Sequence, residues 1–384
     1  MMSRRALAAL PLLALARPAP AGREWNEILR AALAPLRAAI SPEGPPLPLR
    51  SWIAPEGDLA RTHGETAYTY DNALAAQALL AAGDTARGLR IARALRDAPA
   101  FDRDGPAATW RTAYRAGVLE APARLPGWWD QDAGAWREDA CQTGRTLGPA
   151  AFAALAMLDA EAAAPGQGFH AQAWRAGAWA GARRLPQGFR AGTLAAAELG
   201  HASVEENADL AALFARLGRR EDAAHARAFV EAHWLREERR FLAGRTPEGR
   251  PDGTSAADAQ NFPLLALGLR PESLAWLRAR HGVGAPLRGI DFNDDRDGIW
   301  SEGTARLALA LRRTGAEEEA LRICRGLLAH RDANGWLRAT DGAWITTGLT
   351  VGPGRSSFRY PPHGHLGATA WLALAALGRS PFGP

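Results

Sequence analysis

The sequence predicts an all-α protein, a closed (α/α)6 toroid of six helical hairpins that occupies residues 22–384 as a single domain. Three observations carry this prediction. Apolar residues recur at helical spacing along almost the whole chain, and alternating strand-like runs are nearly absent. Six segments repeat one pattern: a polar or aromatic loop, a short cluster of oxygen- or nitrogen-tipped side chains, then an Ala/Leu-rich run too apolar for a solvent-facing helix. Between them lie helices with one apolar stripe and one charged, Arg-rich face, as an outer layer requires.

In chain order, a helix near Glu24–Ile40 comes first. The first inner segment is "YTYDNALAAQALLAAG" from Tyr68, followed by the amphipathic "TARGLRIARALRD" from Thr85. The second inner segment, "TGRTLGPAAFAALAML" from Thr143, precedes an outer helix near His170. "SVEENADLAALFARLG" from Ser203 is partnered by "REDAAHARAFVEAHW" from Arg220, and "ADAQNFPLLALGL" from Ala257 by a helix near Pro271. "WSEGTARLALALRRTG" from Trp300 leads to "AEEEALRICRGLLAH" from Ala316, and "GHLGATAWLALAALG" from Gly364 is the sixth inner helix. Most inner segments end at a Gly suited to a helix C-terminus. Six buried and six exposed helices make a double ring.

The first 21 residues read differently. "MMSRR" is a positive n-region, "ALAALPLLALA" an apolar run, and "APA" at Ala19–Ala21 a small-residue cleavage site, so a signal peptide of twin-arginine type is expected and with it a periplasmic or secreted protein. The apolar run is too short to anchor the chain stably in a bilayer, whose core needs about 20 such residues. All 46 basic residues are Arg, and removing Arg4, Arg5 and Arg17 leaves 43 against 41 acidic residues. That balance gives no footing for nucleic acid, and no Arg run is interleaved with aromatics. Cys141 and Cys324 could form one bridge or remain as two thiols, and neither sits in a metal or redox spacing. No nucleophile elbow, phosphate loop, HExxH or dinucleotide fingerprint is present, and no cofactor is expected. Oligomeric state is not written in the sequence.

If the six inner helices run the same way, their N-termini meet at one rim, where free N–H groups and helix dipoles converge. Aromatics precede many of these starts, Trp52, Trp129, Trp136, Trp300 and Trp344 among them. Flat apolar faces beside carboxylates suit sugar rings. "TYDNALAAQAL", "SVEENADL", "DAQ", "WSEGTARLALA" and "HLGATAWLALAAL" resemble the six-hairpin glycosidase superfamily over nearly all of the mature chain. The resemblance implies a carbohydrate substrate and glycoside hydrolysis, with epimerases and lyases on the same fold.

The candidate residues follow from their placement. Ser301 is a natural N-cap, which puts Glu302 in the first turn of a buried helix beside Trp300, where loss of water would favour a general acid. Ser203 and Glu206 form a capping box, a structural role. Glu205 and Asp209 are four apart and share one helix face. Asp71, after Tyr70, opens the first inner helix. Glu302, Glu205, Asp209 and Asp71 are therefore the catalytic candidates. Tyr70, Trp129, Asp258, Gln260, Trp300, His363 and His365 are the substrate-binding ones. His363 and His365 would serve as an acid/base couple if the protein were a sugar epimerase. A toroid that binds carbohydrate without turning it over is the third reading.

The acidic run "DFNDDRDG" from Asp291 fits a calcium loop poorly. Counted from Asn293 it has Asn293, Asp295, Asp297 and Gly298 in register, but Thr304 holds the twelfth position where a carboxylate belongs. It reads as a solvated turn, and no metal is expected. Two histidines at the sixth start lack a third ligand at metal spacing.

Overall fold

The computed structural model describes residues 22–194, 197–351 and 356–383, so the signal segment expected over 1–21 lies outside the described residues. In chain order the helices are α1 (Arg23–Ala39), α2 (Gly57–His63), α3 (Thr69–Ala81), α4 (Thr85–Asp97), α5 (Ala140–Thr143), α6 (Leu147–Ala163), α7 (Phe169–Gly181), α8 (Val204–Arg216), α9 (Arg220–Ala232), α10 (Asp258–Leu267), α11 (Ser273–His281), α12 (Ser301–Arg313), α13 (Glu317–Leu327) and α14 (Leu366–Leu377). The Ala/Leu-rich runs are buried all round: every residue from Leu366 to Ala376 of α14 is in the core. Helix α13 instead buries only Ala320, Ile323, Cys324 and Leu327, a single stripe.

These two kinds of helix form the expected double ring. The inner helices contact one another in the order α3, α6, α8, α10, α12, α14 and back to α3. Each packs on the outer helix that follows it, and α14 takes α1, so the two ends of the chain complete the sixth hairpin together.

One backbone device repeats at the start of every inner helix. The N–H groups of Thr69, Leu147, Val204, Ala257, Ser301 and Leu366 donate to the carbonyls of Thr112, Ala191, Ala243, Phe292, Ala339 and Ser51 at 2.7–3.0 Å. Each acceptor lies in the loop that leads to the next inner helix, so an orphan N–H of one hairpin is satisfied by its neighbour all the way round. Counting that residue as the first of each helix, the fourth is a second fastening in five of the six, α6 having Ala150 there. Asn72 brackets the backbone of Leu49, Asn207 that of Phe189 and Gln260 that of Phe241, each accepting from the N–H and donating to the C=O. Thr304 does the same for Ile290 through its hydroxyl, and Thr369 accepts from Leu337 N–H.

One sequence expectation changes here. Ser301 is the first helical residue rather than the cap; Trp300 is the cap, and the Ser301 hydroxyl has no hydrogen-bond partner. The few strands fit the all-α expectation: they are segments of two or three residues, paired antiparallel in two- and three-stranded sheets in the loops, and one longer hairpin, Ile345–Val351 with Ser356–Tyr360. Segments that short cannot show alternation, and in the longer hairpin a register shift between Thr346 and Thr350 breaks it. No disulfide joins Cys324, whose buried thiol is pushed up to about 12, to Cys141. Among the described residues no helix is long and apolar enough to cross a membrane.

Candidate active site

The ring register decides which side chains share the cup. The second residue of each inner helix, counted as above, is Tyr70, Gly148, Glu205, Asp258, Glu302 or Gly367, and Asp71 is third in its helix. Equivalent positions on a closed ring face a common axis, so carboxylates far apart in sequence converge. The Tyr70 hydroxyl donates to Glu302 Oε1 at 2.8 Å and accepts from Trp371 Nε1 at 2.7 Å and from Arg306 Nη2 at 3.0 Å. Arg306, one turn along α12, also donates to Glu302 Oε1 and to Asp258 Oδ1. Its guanidinium carbon is 4.7–5.2 Å from the ring centres of Trp300, Phe262 and Trp371, so the charge is enclosed by aromatic faces.

Across the floor, His365 stands between two carboxylates. Its Nε2 lies 3.2 Å from Asp71 Oδ2 and its Nδ1 lies 3.6 Å from Glu302 Oε2. Nδ1 also accepts from Ala368 N–H at 3.2 Å, capping α14, and Trp52 packs against the ring at 4.4 Å. Burial works against a charge on His365, but Asp71, by charge and hydrogen bond, and Glu302 outweigh it and hold the imidazole above the ordinary histidine value. Gly367 makes the arrangement possible, because a Cβ there would stand 2.5 Å from Asp71 Oδ1 and 3.1 Å from His365 Cε1.

Above this floor opens a cavity of about 540 Å³. Tyr70, Asp71, Glu302 and His365 line it, with Trp52, Tyr68, Trp344, Phe358 and Tyr360 as aromatic walls. Helix α2 adds Asp58, Leu59, Thr62 and His63, and the α5 turn adds Asp139, Cys141 and Gln142. Sequence reasoning missed α2 and α5. Their signal was available, since "GDLARTH" and "DACQT" place titratable groups just ahead of the first two inner starts. Burial, only partly offset by Asp139, holds His63 below the ordinary histidine value.

The other candidates sit elsewhere. Asp258 is buried behind the floor on Arg306, and Gln260 is spent on the Phe241 clamp. Trp300 is buried beneath Tyr360 at 5.4 Å and Phe292 at 4.9 Å. His363 is not among the cavity-lining residues, and its carbonyl accepts from Ala339 N–H. Trp129 stands outside the cavity on the Trp128–Arg137 hairpin. Glu205 does not line the cavity either; protein surrounds it closely enough to raise its pKa well above the usual carboxyl value, with Asp258 and Asp209 adding repulsion, although solvent still touches it. Asp209 is fully buried with neither oxygen hydrogen-bonded, and burial, with Glu206 nearby, raises its pKa well above the usual carboxyl value. In the acidic loop, Asp291, Asp295 and Asp297 each bring one oxygen within 4.8 Å of the others. Asp291 accepts from Asp297 N–H at 2.8 Å and Asp297 from Thr346 N–H at 2.9 Å; Asp291 is fully buried, so the solvated turn expected extends only to Asp295 and Asp297.

The Ser203–Glu206 cap differs from the expected box. Ser203 Oγ accepts from Glu206 N–H at 3.1 Å and donates to Glu206 Oε2, while Glu206 Oε1 accepts from Gly148 N–H at 3.3 Å on the neighbouring helix. Burial pushes Glu206 up to about 7 against the downward pull of these bonds. Because the folded value exceeds the unfolded one, folding retains a proton that the unfolded chain has released, so this contribution is complete at low pH and lost as pH rises through about 7. Glu206→Gln should therefore gain on the wild type by a few degrees of melting temperature between pH 5 and pH 8. Parallel melting curves at the two pH values would refute this.

No family model and no curated protein matches this chain. Solved structures do. A glycosidase variant in complex with glucose superposes with a TM-score of 0.59 at 15% identity, covering 94% of this chain and 99% of that one. An alpha-mannanase of glycoside hydrolase family 76 from Bacteroides thetaiotaomicron gives 0.56 at 10% identity, covering 92% and 95%. An alpha-amylase from Clostridium perfringens gives 0.60 at 9% identity, covering 92% and 97%. At these identities the likeness is one of architecture, and the chain has the (α/α)6 toroid fold that these glycosidases share.

Proposed function

We propose that the protein is an exported glycoside hydrolase acting on an oligo- or polysaccharide. The observation that carries this reading is the meeting of Asp71, His365 and Glu302 on the floor of an aromatic-walled cavity. The similar folds named above, an alpha-mannanase and an alpha-amylase among them, support a carbohydrate substrate. Export rests on the signal-like residues 1–21.

The geometry favours a division of labour. Glu302 Oε1 already accepts from a phenol and a guanidinium, so Oε2 is the oxygen left to take a proton from water. The Asp71–His365 couple holds a transferable proton at Nε2, next to the cavity, and suits protonation of the leaving oxygen. This reverses the sequence-based preference for Glu302 as the acid.

Incubating the mature protein with a panel of glycans and reading the products by mass spectrometry tests the proposal. Addition of water across a glycosidic bond is the expected result; no cleavage of any member of the panel would count against it. A sugar isomerase is the second reading, favoured by His63 and His365 both lining the cavity with pKa values moved in opposite directions. It predicts products of unchanged mass. A lyase product would absorb near-ultraviolet light through its new double bond.

A further inference from the structure

We propose that the Trp128–Arg137 hairpin is an outer carbohydrate platform, on which a polysaccharide chain seated in the cavity continues across the protein surface. Trp129 and Trp136 are direct cross-strand partners, so their rings lie on the same face of the hairpin. They are 57% and 46% exposed, among the most exposed large apolar side chains described.

The platform is built rigid. A Cβ on Gly127 would lie 2.6 Å from Trp136 Cε2, so the indole rests on bare backbone that any other residue would obstruct. Asp130 Oδ1 accepts from the N–H groups of Asp132 and Ala133 at 3.1 Å, closing the turn, and Oδ2 takes Arg137 Nε at 3.2 Å across the strands. A fixed aromatic face loses little entropy when a ligand stacks on it.

Both flanks of the hairpin are tied to the cavity. On its other face, Trp128 lies under the guanidinium of Arg61 at 5.5 Å, and Arg61 belongs to α2, whose Asp58, Leu59, Thr62 and His63 line the cavity. On the chain side, Trp136 is three residues from Asp139, itself a cavity-lining residue. Three extended residues span at most about 10 Å. A chain leaving the cavity in that direction meets the two indoles within a few sugar units.

The patch is too small for a protein partner. Two indoles half-exposed offer on the order of 200–250 Å², against about 800 Å² per partner in a standard interface. A narrow ligand with apolar ring faces matches it.

The inference rests on the carbohydrate reading of the cavity, but binding at the hairpin can be measured separately from turnover. Wild type, Trp129→Ala, Trp136→Ala and the double variant would be run in native gels cast with mannan or with soluble starch, with Trp174→Ala, an exposed indole on α7, as the control. The expected result is retardation of the wild type and the control, and a rise in apparent Kd of about tenfold for each hairpin variant, or about 1.4 kcal/mol. Absence of retardation in both polysaccharides, or equal retardation of wild type and double variant, would overturn the platform. So would a wild type that sediments as a dimer while the double variant does not, since the indoles would then be covered by a second copy. Retardation with no turnover of any glycan would defeat the hydrolase reading and leave the platform standing; turnover with retardation indifferent to Trp129 and Trp136 would do the reverse.

Discussion

Glu302→Gln should lower turnover by about 10²–10⁴-fold, the range supplied by a positioned proton-transfer group. The amide keeps an oxygen that can accept from Tyr70 and Arg306, so the floor of the cavity stays assembled. What it loses is a basic Oε2 facing His365. Binding of a substrate analogue should survive within a few-fold, and the melting temperature should fall only modestly, because Asp258 still balances the guanidinium of Arg306. Steady-state rates on whichever glycan the panel identifies, set beside calorimetry of the same preparation, check both halves. A variant that retains more than a tenth of wild-type activity would remove Glu302 from the chemistry, and one that unfolds would make its contribution structural.

The same residue illustrates how far the sequence could be read. The (α/α)6 ring was legible because inner and outer helices bury different amounts of surface and so differ in composition over whole turns. The convergence of Asp71 and Glu302 followed from the ring, since second- and third-position residues of its inner helices face one axis. What composition could not tell was which polar residue of each starting cluster serves the cup and which fastens the rim. "YDN", "EEN", "DAQ" and "EGT" look alike, yet Asn72, Asn207, Gln260 and Thr304 are clamps on neighbouring backbone, one position removed or two from the carboxylates. Gln260, expected from the sequence to bind substrate, is one of these clamps. With the fourth position recognised as the clamp, the acids at the second position stand out in α8, α10 and α12. His63 and Asp139 escaped because α2 and α5 are insertions outside the repeat, and nothing in helical periodicity points to them. Arg306 escaped for another reason: it sits where an apolar residue would be expected on a buried helix, and only the structure supplies the two carboxylates that justify it there.

Arg306 carries the largest stability effect. Its side chain is 2% exposed, and it is the cation that both Glu302 and Asp258, themselves buried, accept from. Arg306→Met keeps much of the volume among Phe262, Trp300 and Trp371 but leaves Asp258 without its counter-charge and Glu302 with only the His365 imidazole beside it. Removing one partner of a buried ion pair costs about 3–5 kcal/mol, so the melting temperature should drop by several degrees at neutral pH. The loss must depend on pH with a definite sign. Burial already raises Asp258 above the ordinary carboxyl value while Arg306 pulls it down, and without Arg306 only the upward push remains. A carboxyl whose folded value is raised contributes fully at low pH and progressively less as pH climbs toward that value. The gap between wild type and variant should therefore be small at pH 4.5 and widen toward pH 8. Adding Asp258→Asn to Arg306→Met should narrow the gap at pH 8 and change little at pH 4.5. A deficit of equal size at both pH values would mean that Arg306 matters for its packing against the three aromatic rings, with its charge immaterial, and Glu302 would then have to be held in the cavity by Tyr70 and His365.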